Sequence, residues 1–419
     1  MKAISKYGTS NISHYVVLIG IVLIAMEIPK LSLGILILMF ISIVLKGLIV
    51  KQPINEAFFL RIVSLLMFAV TYYSIMAYYG YNNTDIANAV KYTIYIVGMY
   101  AIGFVVGKRN KPLLSDGPLW IMLAPVIGCV LYSFLCVYKE ISGGHVLEIA
   151  KRAVPSFWTS SELINGPGLG TLASLGICLA PILFLGAREG MGKTKYYSFK
   201  ITILFLVLIG SFANLALQNR GPFAALVISF ISALCIVFLF GKKSFYYVLK
   251  FAIALSSIIL LVWVIIPPDI LSQFTIFKRF AERGLETTGR STAWLLMLKG
   301  LFSSFTGGRF VDIHLTYVHN LWLDVAYDTG IVPFILLLIF HGSHVSRFIK
   351  LFKSSLSLTM ALMIICLFIS FLAIFFIEPA LDFSPMYFAT SCFFLGMLLR
   401  ISEDIKEELD SSGGTSTCV

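Results

Sequence analysis

One arginine of the chain stands between two apolar runs, where a helix should begin. Arg220 lies in the sequence Leu-Gln-Asn-Arg-Gly-Pro, and Pro222 suits the first turn of the following helix, because its missing N–H costs nothing there. A guanidinium group beside the free N–H groups of a helix start is a site for a phosphate. An arginine at a membrane surface also extends toward lipid headgroups, and this position alone does not decide between the two interpretations.

A second set of chemically capable residues begins at a histidine. His319 is followed by Asn320, Asp324 and Asp328, and these three recur at four-residue spacing, which predicts that they line one helix face. Carboxylates near membrane depth are costly and usually face a cavity or a partner. Because imidazole can accept a proton near neutrality, His319 is a candidate general base. A structural histidine that is hydrogen-bonded in a loop is the alternative, and it is the commoner case for an isolated histidine.

Metal and nucleotide chemistry have little support in the sequence. His341 and His344 are three residues apart, but we expect them on the cytoplasmic side without acidic neighbours. The chain has no DxD, HExxH or paired-cysteine ligand set, and no Walker A or GxGxxG loop. We therefore expect neither a metal ion nor a cofactor.

The segments that position these residues must cross a membrane. The chain is 58% hydrophobic and 13% charged, whereas soluble domains are roughly 45–50% apolar and about 25% charged. Apolar runs of about twenty residues recur along it, long enough to cross roughly 30 Å of hydrocarbon as helices, and too long for the strands of a membrane barrel. We expect an all-α integral membrane protein with about twelve spans. The predicted spans are 15–28, 31–45, 58–79, 92–107, 119–138, 167–186, 201–218, 222–240, 249–266, 320–340, 359–377 and 384–399.

The basic residues orient these spans. Lysines and arginines concentrate at the N-terminus and in every second loop, which predicts that this side and both termini are cytoplasmic. The segment from Ile401 onward is short and charged, and we expect it to be disordered.

Two longer loops, at 139–166 and 267–319, fall on the opposite side and break this charge rule. Their basic residues are Lys151, Arg152, Lys278, Arg279, Arg283, Arg290 and Arg309. A bound anion on that face would explain them. The alternative is that loops of this length escape the rule and carry ordinary solvated charge.

Three separated segments together resemble the family of O-antigen ligases and Wzy-type O-antigen polymerases. The segment 217–222 looks like the first arginine element of that family, and Thr-Gly-Arg-Ser-Thr-Ala-Trp at 288–294 is similar to its second. The sequence His-Asn-Leu-Trp-Leu-Asp with the later Asp-Thr-Gly-Ile resembles its H-N-x-x-L…G element. Each motif is weak alone, but their order and spacing match over roughly 200–340.

The resemblance implies a helical membrane glycosyltransferase of the C type in the bacterial inner membrane, with its site on the periplasmic face. Such enzymes transfer a glycan from undecaprenyl diphosphate to a sugar hydroxyl without a metal and with inversion. His319 would be the base. The substrate-binding residues would be Arg220, Arg290, Arg152, Asn320 and Asp324.

The resemblance also implies a division of the chain into segments and a set of binding partners. It implies N-terminal helices at 1–200, a ligase- or polymerase-like core at 201–345, C-terminal helices at 346–400 and a cytoplasmic tail at 401–419. The partners would be the lipid-linked donor, a glycan or lipid A-core acceptor, membrane lipids and a chain-length regulator. The net charge of +11 lies mostly in loops between spans and does not indicate nucleic acid.

Two alternatives remain open. The motifs do not separate a polymerase, which joins lipid-linked repeats, from a ligase, which moves the finished glycan onto the lipid A core. A flippase or secondary transporter of the same lipid-linked sugars would have a similar number of spans, but it should place polar residues near mid-span in two matching halves.

Overall fold

Apolar helices dominate the structure. The computed structural model of the protein describes residues 4–50, 56–81, 84–107, 117–144, 153–188, 191–240, 289–303, 305–352 and 356–413. Within these ranges, nine helices are long and apolar enough to cross a membrane, and two shorter apolar stretches lie at Tyr15–Ala25 and Leu31–Ile43. The chain is therefore a multi-pass helical membrane protein, as its composition predicts.

The helices follow the predicted apolar runs. In chain order they are α1 (Ile4–Ala25), α2 (Leu31–Val50), α3 (Glu56–Tyr79), α4 (Ile86–Val106), α5 (Gly117–Ser142), α6 (Gly166–Ile177), α7 (Ala180–Leu185), α8 (Lys193–Ala216), α9 (Gly221–Phe240), α10 (Arg290–Gly300), α11 (Leu321–Thr329), α12 (Ile331–Phe352), α13 (Leu358–Ile377), α14 (Ala380–Phe383) and α15 (Pro385–Gly413). The predicted span at 249–266 lies outside the described residues.

The predicted span at 320–340 has the wrong bounds. The chain turns at Gly330, so the short helix α11 ends at Thr329 and the membrane-length helix α12 begins at Ile331. Gly330 has a φ of +87°, which glycine adopts at little cost. A Cβ atom at this position would also lie 2.2 Å from the carbonyl oxygen of Phe305. The segment that begins with His319 therefore precedes the spanning helix and does not form part of it.

Two further differences concern segments expected to be irregular. A small antiparallel hairpin, β1 (Ala153–Pro155) and β2 (Leu163–Asn165), lies in the predicted loop at 139–166. The C-terminal segment from Ile401, expected to be disordered, instead continues α15 as a helix as far as Gly413.

The helices divide into two compact units. The first unit comprises Met1–Cys129, Leu296–Leu356 and Ser384–Val419, and the second comprises Val130–Leu295 and Ser357–Phe383. The divisions expected from the family resemblance have other boundaries and stay a prediction.

Small residues bring two helices of the first unit into close contact. A Cβ atom at Gly103 of α4 would lie 2.0 Å from the carbonyl oxygen of Phe393 in α15. Likewise, a Cβ atom at Gly396 of α15 would lie 2.2 Å from the carbonyl oxygen of Tyr100 in α4. Helices in membranes associate largely through such close van der Waals packing, so this contact stabilises the unit.

One membrane segment of the second unit is broken. Helix α6 ends at Ile177 and α7 starts at Ala180, followed by Pro181. The Ser229 hydroxyl of α9 donates to the carbonyl oxygen of Cys178 at 2.8 Å. A backbone carbonyl near a helix break needs such a partner where no water is available.

Candidate functional site

Asn320 begins the helix that follows the candidate base. It is the N-cap of α11, with extended backbone angles (φ −155°, ψ 118°), and its side-chain oxygen accepts from the N–H of Leu323 at 3.2 Å. Asparagine is among the preferred N-caps because its side chain satisfies an N–H group that the helix leaves open. The predicted contact between Asn320 and a substrate stays a prediction.

Asp324 holds the backbone on both sides of His319. Its Oδ1 accepts from the N–H of Val318 at 2.7 Å, and its Oδ2 accepts from the N–H of Asn320 at 2.8 Å. The Asp324 side chain is buried. Burial, together with the nearby Asp328 carboxylate, raises the pKa of Asp324 well above its usual value, and backbone N–H groups lower it in part. Asp324 therefore stabilises this turn through its two hydrogen bonds to the backbone. The four-residue spacing in the sequence did not predict this role.

The backbone of His319 is held in the left-handed region. Its φ is +58°, which costs a residue with a Cβ atom about 1–2 kcal/mol. Such a conformation persists only where the surroundings enforce it, and it is often found at functional sites. The two Asp324 hydrogen bonds on either side supply that enforcement. The His319 side chain is half-buried, and its ring centroid lies 6.3 Å from that of Tyr317.

A buried ion pair closes the other end of α11. The Arg309 Nε and the Asp328 Oδ1 are 2.7 Å apart, and the Asp328 side chain is fully buried. The backbone N–H of Arg309 donates to the carbonyl oxygen of Tyr327 at 3.1 Å, and that of Gly308 donates to Asp328 at 3.0 Å. The loop before His319 is therefore attached to α11 through both backbone and side chains.

Tyrosine rings surround the guanidinium group of Arg309. The Arg309 Cζ lies 4.3 Å from the ring centroid of Tyr81, 5.4 Å from that of Tyr317 and 5.9 Å from that of Tyr327. Burial raises the pKa of both Tyr81 and Tyr327, so these phenols stay neutral and present ordinary ring faces to the cation. Sequence reasoning noted Arg309 only as one of several loop charges. A carboxylate in an apolar segment needs a partner. Asp328 is such a carboxylate, and it could have indicated that a basic residue such as Arg309 pairs with it.

Arg290 is bound to the C-terminal end of a membrane helix in the second unit. Its Nη1 donates to the carbonyl oxygen of Ile377 at 2.8 Å, and its Nη2 lies 3.7 Å from the Glu378 Oε1. Ile377 is the last residue of α13, whose final carbonyl groups lack partners within the helix. Arg290 therefore already has a structural role at this helix end.

The segment of Arg220 meets the same turn. Arg220 directly precedes α9, and its carbonyl oxygen accepts from the N–H groups of Phe223 and Ala224 at 3.2 and 3.3 Å. A Cβ atom on the next residue, Gly221, would lie 2.8 Å from the Ile377 Cδ1 and 3.6 Å from the Glu378 Oε1. The structure thus brings the two predicted arginine elements to one place, the turn after α13.

The remaining predicted residues fall in different places. Arg152 lies outside the described residues. His319, Asn320 and Asp324 belong to the first unit, and Arg220 and Arg290 belong to the second.

The histidine pair lies inside α12 and not in a loop after the span, and its expected cytoplasmic side stays a prediction. His341 and His344 lie within the span Ile331–Ile349. The indole N–H of Trp322 donates to the His341 Nδ1 at 3.0 Å, and the Tyr100 hydroxyl lies 3.2 Å from the His344 Nε2. Among the residues that the structure describes, no three His, Cys, Asp or Glu side chains group as metal ligands would. The expectation of a reaction without a metal stays a prediction.

No family model matches the chain, and no curated protein matches its sequence.

Proposed function

We propose that the protein transfers a glycan from undecaprenyl diphosphate to a sugar hydroxyl at the periplasmic face of the bacterial inner membrane. It would work without a metal ion and invert the anomeric carbon, either as an O-antigen polymerase or as the O-antigen ligase. The proposal rests on the three sequence elements and on the surroundings of two of their residues, His319 and Arg290.

The observation that carries the proposal is the backbone of His319. A histidine with a φ of +58° is strained, and two Asp324 hydrogen bonds on neighbouring residues keep it so. The exposed His314 has a similar φ of +56°, so what distinguishes His319 is the buried carboxylate that holds the backbone on both of its sides. A general base needs this enforcement, because its nitrogen must meet a hydroxyl group at hydrogen-bond distance and in one orientation.

In the proposed reaction, the imidazole of His319 is the proton acceptor. The neutral His319 ring takes the proton of the acceptor hydroxyl as the oxygen attacks the anomeric carbon of the donor. The bond between that carbon and the diphosphate oxygen breaks, and undecaprenyl diphosphate leaves with the electron pair. Attack from the side opposite the leaving group inverts the anomeric centre.

The arginines would stabilise the leaving diphosphate. Arg220 precedes the N-terminus of α9, and both arginine segments meet the turn at Glu378. Guanidinium groups and helix N-termini bind phosphate oxygens, and they would offset the charge that develops on the leaving group. In the described structure the Glu378 carboxylate lies beside Arg290. A bound diphosphate would therefore compete with Glu378 for this arginine.

A deletion strain tests the proposal. Loss of a polymerase or ligase should remove the long-chain ladder of the lipopolysaccharide and enlarge the periplasmic pool of undecaprenyl-linked glycan. A His319→Ala copy should fail to restore the ladder, since a general base contributes about 10²–10⁴ in rate.

The matched control is His314→Ala. His314 is also left-handed, with a φ of +56°, but it is exposed and pairs with the exposed Asp312. This variant should restore the ladder fully. A His319→Ala protein that is present in normal amounts and restores the ladder would remove His319 from the chemistry.

The same deletion strain distinguishes a glycosyltransferase from a transporter of the lipid-linked glycan. The break between α6 and α7 is a feature that transporters also use. A flippase defect would leave the glycan on the cytoplasmic leaflet, where an added periplasmic glycosidase could not reach it. A transferase defect would leave it exposed to that glycosidase.

A further inference from the structure

We propose that α11 is a re-entrant helix and that His341 is the residue that positions it. Through Trp322, His341 holds His319 within the depth of the membrane, where water from the periplasmic side reaches the imidazole. The periplasmic side follows from the predicted topology, and the use of this site in glycan transfer rests on the proposed function. The path of α11 and its contact with α12 can be tested without either.

The chain reverses its direction at Gly330. The indole N–H of Trp322 in α11 donates to the Nδ1 of His341 in α12 at 3.0 Å. These partners lie 8 residues before and 11 residues after Gly330. At a rise of about 1.5 Å per residue, one straight helix would separate them by roughly 28 Å, and perpendicular helices by roughly 20 Å. Both separations exceed the reach of the two side chains, so α11 must fold back along α12, against which it packs.

The turn at Gly330 lies at the outer end of the spanning helices and not far beyond it. Arg347 is the first Lys, Arg, Asp or Glu of α12, and it follows Ile331 by only 16 residues. These residues cover about 24 Å, less than the roughly 30 Å of hydrocarbon that a span must cross. Helix α12 therefore has no length to spare outside the membrane. The loop agrees with this level, because Gly308, which donates to the backbone of α11, lies against Tyr79 at the end of α3.

His319 lies at the inner end of the re-entrant helix. Helix α11 has nine residues, which cover about 13 Å, and it begins after its N-cap Asn320. Since α11 runs back outward to Gly330, His319 lies about 10–13 Å inward from that turn. The exposed side chain of Ile339 on α12 is at a similar depth, nine residues after Gly330. The candidate base is therefore level with side chains that face lipid.

His341 fixes this inner end of α11. An indole N–H at membrane depth needs a hydrogen-bond partner, because no water is available in the hydrocarbon. The Nδ1 of His341 accepts that bond, so the proton of the neutral ring is on Nε2. The same ring packs against Phe388 of α15 with 6.0 Å between the centroids. His341 is thus held between two spanning helices, and it positions His319 through Trp322.

Polar pairs between membrane helices also serve only to hold spans together, and a second histidine of α12 is such a case. His344 lies one turn further along α12, and its Nε2 is 3.2 Å from the hydroxyl group of Tyr100 in the spanning helix α4. His341 differs because its partner belongs to the short helix that begins beside His319. The two histidines therefore provide a matched pair of positions for a test.

Water must reach His319 at this depth. Its side chain is only half-buried, and residues 305–319 form neither helix nor strand. Irregular backbone and polar side chains at membrane depth are tolerated where they are buried in protein or line a water-filled cavity. The accessible part of the imidazole therefore borders water that enters from the periplasm.

Cysteine labelling in intact membranes tests the path of α11. The background is a cysteine-free form of the full-length protein, and the probe is a membrane-impermeant maleimide added from the periplasmic side. We expect His319→Cys to be labelled, as well as Asp312→Cys in the exposed part of the loop. Ile335→Cys and Ile339→Cys should stay unlabelled although both side chains are exposed, because they face lipid.

Two results would overturn this assignment. Labelling of Ile335→Cys as fast as Asp312→Cys would mean that α12 extends outside the membrane and that α11 is not re-entrant. A His319→Cys protein that reacts only from the cytoplasmic side, or from neither side, would contradict the water-filled opening. Tyr317→Cys gives the same readout without altering the left-handed residue, so the test survives a His319→Cys protein that does not fold.

The positioning role of His341 is measured by the rate of this labelling. His341→Leu and Trp322→Phe each remove one partner of the hydrogen bond, so α11 should loosen and His319→Cys should react about 2- to 10-fold faster. Combining both changes should add nothing further. His344→Leu is the control, because its partner is Tyr100, and it should leave the rate unchanged. An unchanged rate in His341→Leu, or an equal increase in His344→Leu, would remove the positioning role.

The transfer assay connects this inference with the proposed function. His341→Leu should lower kcat and leave the KM for the donor unchanged, because the base moves while the diphosphate contacts remain. His341→Gln should retain more turnover, since its amide oxygen still accepts a hydrogen bond from the indole N–H. If the labelling pattern holds but the wild-type protein transfers no glycan, the re-entrant helix stands and the proposed function fails.

Discussion

Removing the Asp324 carboxylate tests how His319 is positioned. In Asp324→Ala, the N–H groups of Val318 and Asn320 lose partners at 2.7 and 2.8 Å in a buried site. Each unsatisfied buried group costs about 1–3 kcal/mol, so we expect a loss of about 2–6 kcal/mol if the turn stays in place. The turn can avoid this cost by opening to solvent, and His319 would then leave its left-handed backbone.

The expected phenotype therefore combines stability and activity. Asp324→Ala should lower the unfolding temperature of the purified protein. At a temperature where the protein remains folded, turnover per molecule should fall at least 10-fold, while binding of the lipid-linked donor persists. Asp324→Asn should have an unfolding temperature and a turnover between those of wild type and Asp324→Ala. Its amide oxygen still accepts one hydrogen bond, but its NH₂ group opposes the second N–H. Asp312→Ala, which removes an exposed carboxylate of the same loop, is the control. Full stability and full turnover in Asp324→Ala would refute the positioning argument.

Asp324 also predicts how the stability of the protein depends on pH. Burial and Asp328 raise the pKa of Asp324 in the folded protein, so the folded state favours the protonated form. This contribution to stability is present below the ordinary carboxyl pKa of about 3.9 and is lost as the pH rises through the raised pKa. The wild-type unfolding temperature should fall across this interval. Asp324→Asn should have a shallower slope, and an identical slope would contradict the assignment.

Other predictions concern the ion pair, the helix contact and the topology. Arg309→Ala and Asp328→Ala should each destabilise the protein by about 3–5 kcal/mol, and the double variant by less than their sum; additive losses in thermal unfolding would contradict the pairing. Gly103→Ala should lower the unfolding temperature because its Cβ atom meets the Phe393 carbonyl group, whereas Gly342→Ala, with open space around it, should not. Reporter tags at either terminus should report cytoplasm, and a periplasmic C-terminus would mean an odd number of spans.

The sequence predicted the helices much better than the contacts between loops and helices. Apolar runs are local, and a membrane requires each of them to satisfy its own backbone, so their positions follow from composition. The turn at Gly330 was missed because hydropathy continues through it, although glycine allows the chain to reverse there. The hairpin at 153–165 was missed because strands of three residues carry almost no pattern.

In the candidate site, too, local features were predictable from the sequence and tertiary contacts were not. Four-residue spacing predicted that Asp324 and Asp328 belong together, and both are buried in α11. The carboxylate of Asp328 in an apolar segment indicates that it has a partner, but the choice of Arg309 as that partner depends on tertiary structure, as does the pairing of Arg290 with Glu378. The Glu378 partner lies 88 residues along the chain from Arg290, in a turn that no motif marks.

The central claim can be tested most directly by reconstituting the purified protein in liposomes with undecaprenyl-diphosphate-linked glycan and an acceptor glycan. We expect a longer or newly linked glycan of inverted anomeric configuration together with free undecaprenyl diphosphate, unchanged by EDTA and almost absent with His319→Ala. A wild-type protein that EDTA inactivates and magnesium restores would contradict the account. So would a His319→Ala protein with normal turnover per folded molecule.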